Sequence, residues 1–159
     1  FILVDQTVHV GDIIELDGKV GRVENITLRT TRAVTIDNKV LIIPNHMYLT
    51  NTLFNWTENE KETCEYVSLG VAYGTDLDKL RTLLIDIAVK HKEVVKSPSP
   101  DLVFKDFGDS SLDFKLVFTL RDGFKTEQVK SDIRYAIDKC LRENDIVIPF
   151  PQRVIHTAN

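Results

Sequence analysis

The sequence predicts an α+β chain in two parts, a small bent β barrel over residues 1–57 and an α/β sandwich over residues 58–159. Three observations carry this. Residues 1–57 hold short runs of alternating apolar and polar residues, punctuated by Gly, Asp and Asn, with no helical period. Two later segments bring apolar residues back every three to four positions, the stripe of a helix lying on a core. Between the parts, Thr57-Glu58-Asn59-Glu60-Lys61-Glu62 is polar, charged and aperiodic, as a linker is.

The first part opens with Val8-His9-Val10 and continues, after Gly11, through residues 12–16. Asp17-Gly18 is a two-residue hairpin signal, since both residue types tolerate φ > 0. Residues 19–24 return, with Gly21 placed where a side chain would obstruct a bend or a close backbone approach. Ile26, Leu28 and Thr30 alternate with Thr27, Arg29 and Thr31, which predicts a half-buried strand, and Val34 and Ile36 extend the pattern. Asp37-Asn38 turns the chain into the apolar run 40–43, and Pro44-Asn45 ends it with a single helical turn before a strand over 51–56.

In the second part residues 65–72 read as a strand, and Gly74-Thr75 leads into a helix. Thr75 and Asp78 have the spacing of a capping box, with Asp for the usual Glu. Leu77, Leu80, Leu84, Ile87 and Ala88 share one face of that helix. Ser97-Pro98-Ser99-Pro100 breaks the chain, and strands over 102–107 and 112–120 follow, joined by Gly108-Asp109-Ser110-Ser111. A second amphipathic helix over 126–142 buries Val129, Ile133, Ile137, Cys140 and Leu141, and residues 146–148 read as a final strand. The order βαββα plus a strand is ferredoxin-like in outline.

Composition excludes several functions. A formal net charge of −4 argues against sequence-independent nucleic-acid binding, which needs clustered Lys and Arg to displace phosphate counterions. It argues equally against adsorption to anionic lipid. Neither part is polarised, with six acids and five bases in residues 1–57 against 18 and 15 in the rest. A spanning helix needs roughly 20 apolar residues, and the longest apolar runs, 1–4 and 40–43, are far shorter. The chain starts at Phe1 without a Met, so it reads as a piece of a longer protein whose membrane connection, if any, lies elsewhere. Cys64 and Cys140 stand in no CxxC or Cys/His spacing and read as reduced, semi-buried thiols.

No catalytic constellation stands out, and no metal or cofactor is expected. His9, His46, His91 and His156 are scattered without ligand spacing and read as structural or solvated. Ser110 and Ser111 lack the flanking glycines of a nucleophile elbow, and Gly70 and Gly74 lack the spacing of a phosphate loop. Tyr48, Phe54 and Trp56 could stack bases, but with no basic groove beside them they read as buried aromatics at a barrel edge.

The motifs together resemble the MscS-like family of small-conductance mechanosensitive channels. In the first part these are Val10-Gly11-Asp12-Ile13-Ile14-Glu15-Leu16 with Gly18, Gly21 and Val23, then Arg29-Thr30-Thr31, Asp37, Ile42-Ile43-Pro44-Asn45 and Asn55. In the second they are Gly70-Val71-Ala72-Tyr73 with Asp76, Phe107-Gly108-Asp109-Ser110-Ser111-Leu112, and Ile148-Pro149-Phe150-Pro151-Gln152. Each is short, but their joint order covers essentially the whole chain. Thr7, Val8 and His9 depart from the Pro, aromatic and Arg often found there.

The resemblance implies that the first part is an Sm-like barrel forming a heptameric ring below a pore. It implies that the second part walls a cytosolic cage, with Pro149, Phe150, Pro151 and Gln152 in a small closing barrel. The parent channel would lie in the inner membrane, open under bilayer tension and release ions and small solutes after osmotic downshock. Gly11, Asp12, Gly18, Gly21, Arg29, Thr30, Pro44 and Asn45 would then be structural or assembly residues. The rivals are an Sm-like RNA-binding module, disfavoured by the missing basic stripe, and a small-ligand regulatory module or enzyme, for which no site is visible.

Overall fold

The computed structural model describes residues 7–59 and 61–158. The chain forms two compact units: one runs to Thr63 and is completed by Arg121–Thr126, and the other comprises Cys64–Leu120 and the segment from Glu127 onward.

The first unit contains β1 (Ile13–Leu16), β2 (Lys19–Ile26), β3 (Thr30–Val34), β4 (Val40–Pro44), a helical turn α1 (Met47–Thr50) and β5 (Leu53–Asn55). The strands form one antiparallel sheet in the order β4-β3-β2-β1-β5. Asp17 and Gly18 make the β1–β2 turn with φ of 51° and 73°, and Leu16 faces Lys19 across it. Gly21 sits where a Cβ would lie 3.1 Å from the Cβ of Ala33 and 3.3 Å from the carbonyl oxygen of Val34, so a larger residue would push β3 away. Val8, Ile14, Leu16, Val23 and Ile43 form the core of this sheet.

Three expectations for this unit are corrected. Residues 26–31 are not one strand: a turn over 27–29 separates β2 from β3, and Leu28 is exposed. The hydroxyl of Thr27 accepts the Thr30 N–H and donates to the Thr30 carbonyl, so side chain replaces ladder and the alternating pattern runs through a bend. Val8-His9-Val10 is not a strand either, although Val8 is buried in the core. Among the described residues β4 and β5 also stand at opposite ends of the strand order, so no hydrogen-bonded pair there closes the sheet into a barrel.

The second unit is built from β6 (Thr63–Val71), α2 (Leu77–Lys90), β7 (Asp101–Phe107), β8 (Leu112–Leu120) and α3 (Thr126–Glu143), the first residues of β6 and α3 belonging to the other unit. The sheet order is β6-β8-β7. β8 alternates strictly, burying Leu112, Phe114, Leu116, Phe118 and Leu120. These join Leu80, Leu84 and Ala88 of α2 and Val129, Ile133, Ile137 and Leu141 of α3 in one core, the stripes that helical periodicity predicts.

Asp76, not Thr75, caps α2: its carboxylate accepts the Lys79 N–H at 3.1 Å, while the Thr75 hydroxyl turns back to the Ala72 carbonyl. A carboxylate is the stronger cap here because it also meets the positive end of the helix dipole. Residues 146–148 do not form a strand. Their backbone bonds are one from the Ala72 N–H to the Val147 carbonyl at 2.9 Å and one from the Ile146 N–H to the Leu141 carbonyl at 2.9 Å, and Val147 and Ile148 stay exposed. Both cysteines are free; Cys140 is half-buried as expected, but Cys64 is exposed.

Leu80 and Ile133 are 0% and 1% exposed. Burying an unpaired carboxylate at either place costs several kcal/mol against a domain stability of about 5–15 kcal/mol. Leu80→Asp or Ile133→Asp is therefore expected to unfold the second unit while β1 to β4 keep their slow amide exchange. Native protection throughout α2, α3 and β8 in either variant would count against this core.

Candidate functional site

Most of the residues singled out by motif gather in three places; Gly18 and Gly21 stand apart, in the β1–β2 turn and within β2. The first is the turn between β2 and β3. Asn45, 2% exposed, closes it from the end of β4: its backbone N–H donates to the Arg29 carbonyl and its side-chain N–H to the Thr27 carbonyl. Its Oδ1 accepts the hydroxyl of Thr31, itself fully buried, at 2.8 Å. A buried amide so satisfied fixes a unique arrangement, because any other leaves polar atoms orphaned. Arg29 lends only its carbonyl and keeps its side chain exposed, Thr30 is half-buried against Thr27, and Pro44 faces Thr30 across the ladder. The Tyr48 hydroxyl is buried beside them with no well-aligned hydrogen-bond partner among the described residues, and that burial pushes its pKa up against a smaller opposing effect of the nearby Thr31 hydroxyl.

The second place is the approach to β1. Gly11 has φ of 96° and sends its N–H to the Val23 carbonyl, a conformation that favours glycine. Asp12 is the hub: one carboxylate oxygen accepts the Thr57 hydroxyl at 3.0 Å, the other the Asn55 amide at 2.9 Å and the His9 backbone N–H at 2.8 Å. Partial burial alone would raise its pKa. Bonds from Asn55, the His9 amide and Thr57, with the nearby His9 charge, more than offset that and hold it below the usual 3.8. Asn55 also donates to the Thr7 carbonyl at 2.7 Å. The segment preceding β1 is thus tied to both β1 and β5, with Val8 as its apolar plug.

The third place joins two motifs that the sequence keeps far apart. The Gln152 backbone N–H donates to the Ser110 hydroxyl at 3.0 Å, so the Pro149-Phe150-Pro151-Gln152 tail lies on the turn between β7 and β8. Glycine suits position 108, since a Cβ there would stand 2.9 Å from the Ser111 carbonyl oxygen. The turn is held by the Ser111 hydroxyl on Asp113 at 2.6 Å and by the Tyr73 hydroxyl on the Gly108 carbonyl. Ser110 and Ser111 are thus fasteners. Pro149 is half-buried, but Phe150, Pro151 and Gln152 are exposed, Phe150 by 84%.

Apolar residues also stand exposed along the two edge strands: Val40 and Ile42 on β4, and Phe54 on β5. Phe54 was expected to be buried; it lies on the outward side of a three-residue edge strand. Among the described residues no group of three or more His, Cys, Asp or Glu could hold a metal ion, and no helix is long and apolar enough to cross a membrane. His9 lies 3.7 Å from Asp12, and His91 bonds Asp132 at 3.0 Å, drawing that carboxyl's pKa down together with Gln128. Thr27 and Thr57 were missed as site residues. The spacing Thr27-Leu28-Arg29-Thr30 is a side-chain turn signal that marks the first; nothing local marks the second.

Residues 1–58 match the family described as mechanosensitive ion channel, beta-domain, and residues 66–148 the family described as mechanosensitive ion channel MscS, C-terminal. The chain is 36% identical over 158 residues to the mechanosensitive channel MscK of Escherichia coli (strain K12), covering 99% of this chain and 14% of that one. It is 30% identical over 159 residues to an uncharacterized MscS family protein of Archaeoglobus fulgidus, covering 100% and 56%. The closed-state crystal structure of Helicobacter pylori MscS matches with a TM-score of 0.82 at 25% identity, over 99% of this chain and 62% of that one. The chain therefore spans only part of each of these proteins.

Two outcomes follow from the polar hubs. Asn45→Ala orphans the buried Thr31 hydroxyl and the Thr27 carbonyl, and is expected to cost about 1–3 kcal/mol in denaturant unfolding of the first unit; a loss below about 0.5 kcal/mol would show the amide to be dispensable. For Asp12 the folded pKa lies below the unfolded one, so its stabilisation is full above about pH 4 and fades as pH falls through the folded value. Asp37, held at about 2 by Lys39 and Thr35, adds its own acid dependence. The comparison is therefore between wild type and Asp12→Asn, whose stability should change less between pH 5 and 2; parallel curves would remove Asp12 from the account.

Proposed function

Because the chain belongs to the MscS family of mechanosensitive ion channels, we propose that it is the cytosolic region through which the subunits of such a channel assemble below the pore. The observation that carries this reading is the sheet left open at β4 and β5, with Val40, Ile42 and Phe54 exposed along those edges. An edge strand of this kind is a liability in a monomer and a joint in a ring. If β4 of one copy pairs with β5 of the next, each subunit uses the same two edges and the ring closes on itself. The first part, residues 1–57, then acts as an Sm-like barrel completed by its neighbours, and residues 58–159 as a ferredoxin-like wall of a hollow cage, in a heptamer.

The tail fits the same reading. Phe150, Val154 and Ile155 are each more than 80% exposed, and Pro149 and Pro151 remove two backbone donors, limiting the edges this segment can join. Below the pore of an inner-membrane channel, such tails from all subunits would meet and cover one another. The clamp of Thr7, Val8 and Asp12 suits a chain arriving from a pore-lining helix, because displacement there is passed directly to β1 and β5. The region needs no cofactor or nucleic acid for this role. The parent channel would open under bilayer tension and release ions and small solutes on osmotic downshock.

Light scattering over a concentration series tests the assembly. The intact chain should form a closed ring at high concentration, while a chain ending at Ile148 and the edge variant Ile42→Glu should associate more weakly. The loss expected from removing the Phe150 anchor is about 2 kcal/mol per contact. A chain that stays monomeric at its highest soluble concentration, or associates equally well without tail and edge, would overturn the reading.

A further inference from the structure

We propose that a cleft beside β1 in the first unit binds the phosphate group of a small phosphorylated molecule or a lipid headgroup, independently of the assembly role. The cleft has a volume of about 340 Å³ and is lined by Gly11, Asp12, Arg22, Lys61, Arg121 and Asp122. Its two carboxylates are already engaged. Both oxygens of Asp12 accept bonds from Thr57, Asn55 and the His9 backbone N–H. Asp122 accepts Nη2 of Arg22 at 3.0 Å and the Phe124 N–H at 3.0 Å.

The cations are not engaged to the same degree. Arg22 spends one terminal nitrogen on Asp122 and rests its guanidinium over the Phe124 ring, 5.2 Å from the centroid, which leaves its other N–H groups open. Lys61 and Arg121 have no hydrogen-bond or ion-pair partner among the described residues. The cleft therefore holds a surplus of charged donors over acceptors, in a chain whose overall charge is −4. Three cationic side chains around one space suit a multi-oxygen anion better than a flat carboxylate, which one arginine fork would satisfy. The volume lies at the lower end of ligand cavities, enough for a phosphate with a small body attached.

The test is an NMR titration of the whole chain with inorganic phosphate, replacing chloride at constant ionic strength. Shifts of the Gly11, Ile13 and Asp122 amides should saturate, and Lys61→Ala and Arg121→Ala, both at exposed positions, should each weaken binding roughly tenfold. Lys39→Ala removes the same charge elsewhere in this unit and should leave binding unchanged. Shifts that grow linearly without saturation, that chloride reproduces, or that Lys39→Ala weakens as much would overturn the site. Co-sedimentation with phosphatidylglycerol vesicles decides the source: capture that needs Arg121 and is competed by phosphate assigns a lipid headgroup, and no capture assigns a soluble phosphate.

Discussion

Burying a side-chain amide is costly unless its donor and acceptor ends both find partners in one arrangement. Asn45 is buried in the first unit and engages both ends, its Nδ2 donating to the Thr27 carbonyl and its Oδ1 accepting the Thr31 hydroxyl, while its backbone N–H donates to the Arg29 carbonyl. One residue at the end of β4 thereby fixes the turn that begins β3. The register of β3 on both neighbours follows, with Ala33 opposite Leu41 on one side and Val23 on the other. Gly21, which needs that register to face Ala33, and the buried Val23 depend on it in turn.

Legibility differed between the units for physical reasons. In the second, each element is long enough for its period to be read: β8 alternates over nine residues, and α2 and α3 run for 14 and 18. The errors there were local competitions, such as Asp76 displacing Thr75 as cap, between two residues each able to do the work. In the first unit the strands have three to eight residues, and a two-residue period cannot distinguish a strand from a turn whose side chains happen to alternate. Residues 26–31 misled for that reason. Asp17-Gly18 did not, because positive φ at both positions leaves few residue types to choose from.

Motif order singled out residues without saying what they touch. Arg29-Thr30-Thr31 and Pro44-Asn45 proved to be two sides of one internal fastening, and Gly108 to Ser111 with Gln152 proved to be another. Contacts like these join positions remote in sequence through single polar atoms, which leave no trace in periodicity or composition. The role of Thr57, reached across 45 residues from Asp12, is invisible for the same reason.

The return of Arg121–Thr126 to the first unit has a bearing on how the protein is made. Arg22 reaches Asp122 across 100 positions, and Gly123 lies so close to Thr63 and Trp56 that a Cβ would stand 2.4 Å from the Thr63 hydroxyl. A chain still on the ribosome can pair β1 through β5 early, but it lacks this covering segment until β6, α2, β7 and β8 have also emerged. At roughly 5–20 residues per second, that leaves several seconds in which the first unit's surface near Trp56 is bare. The two units thus mature in overlap rather than in succession, and neither is a cassette that can be lifted out by a single cut.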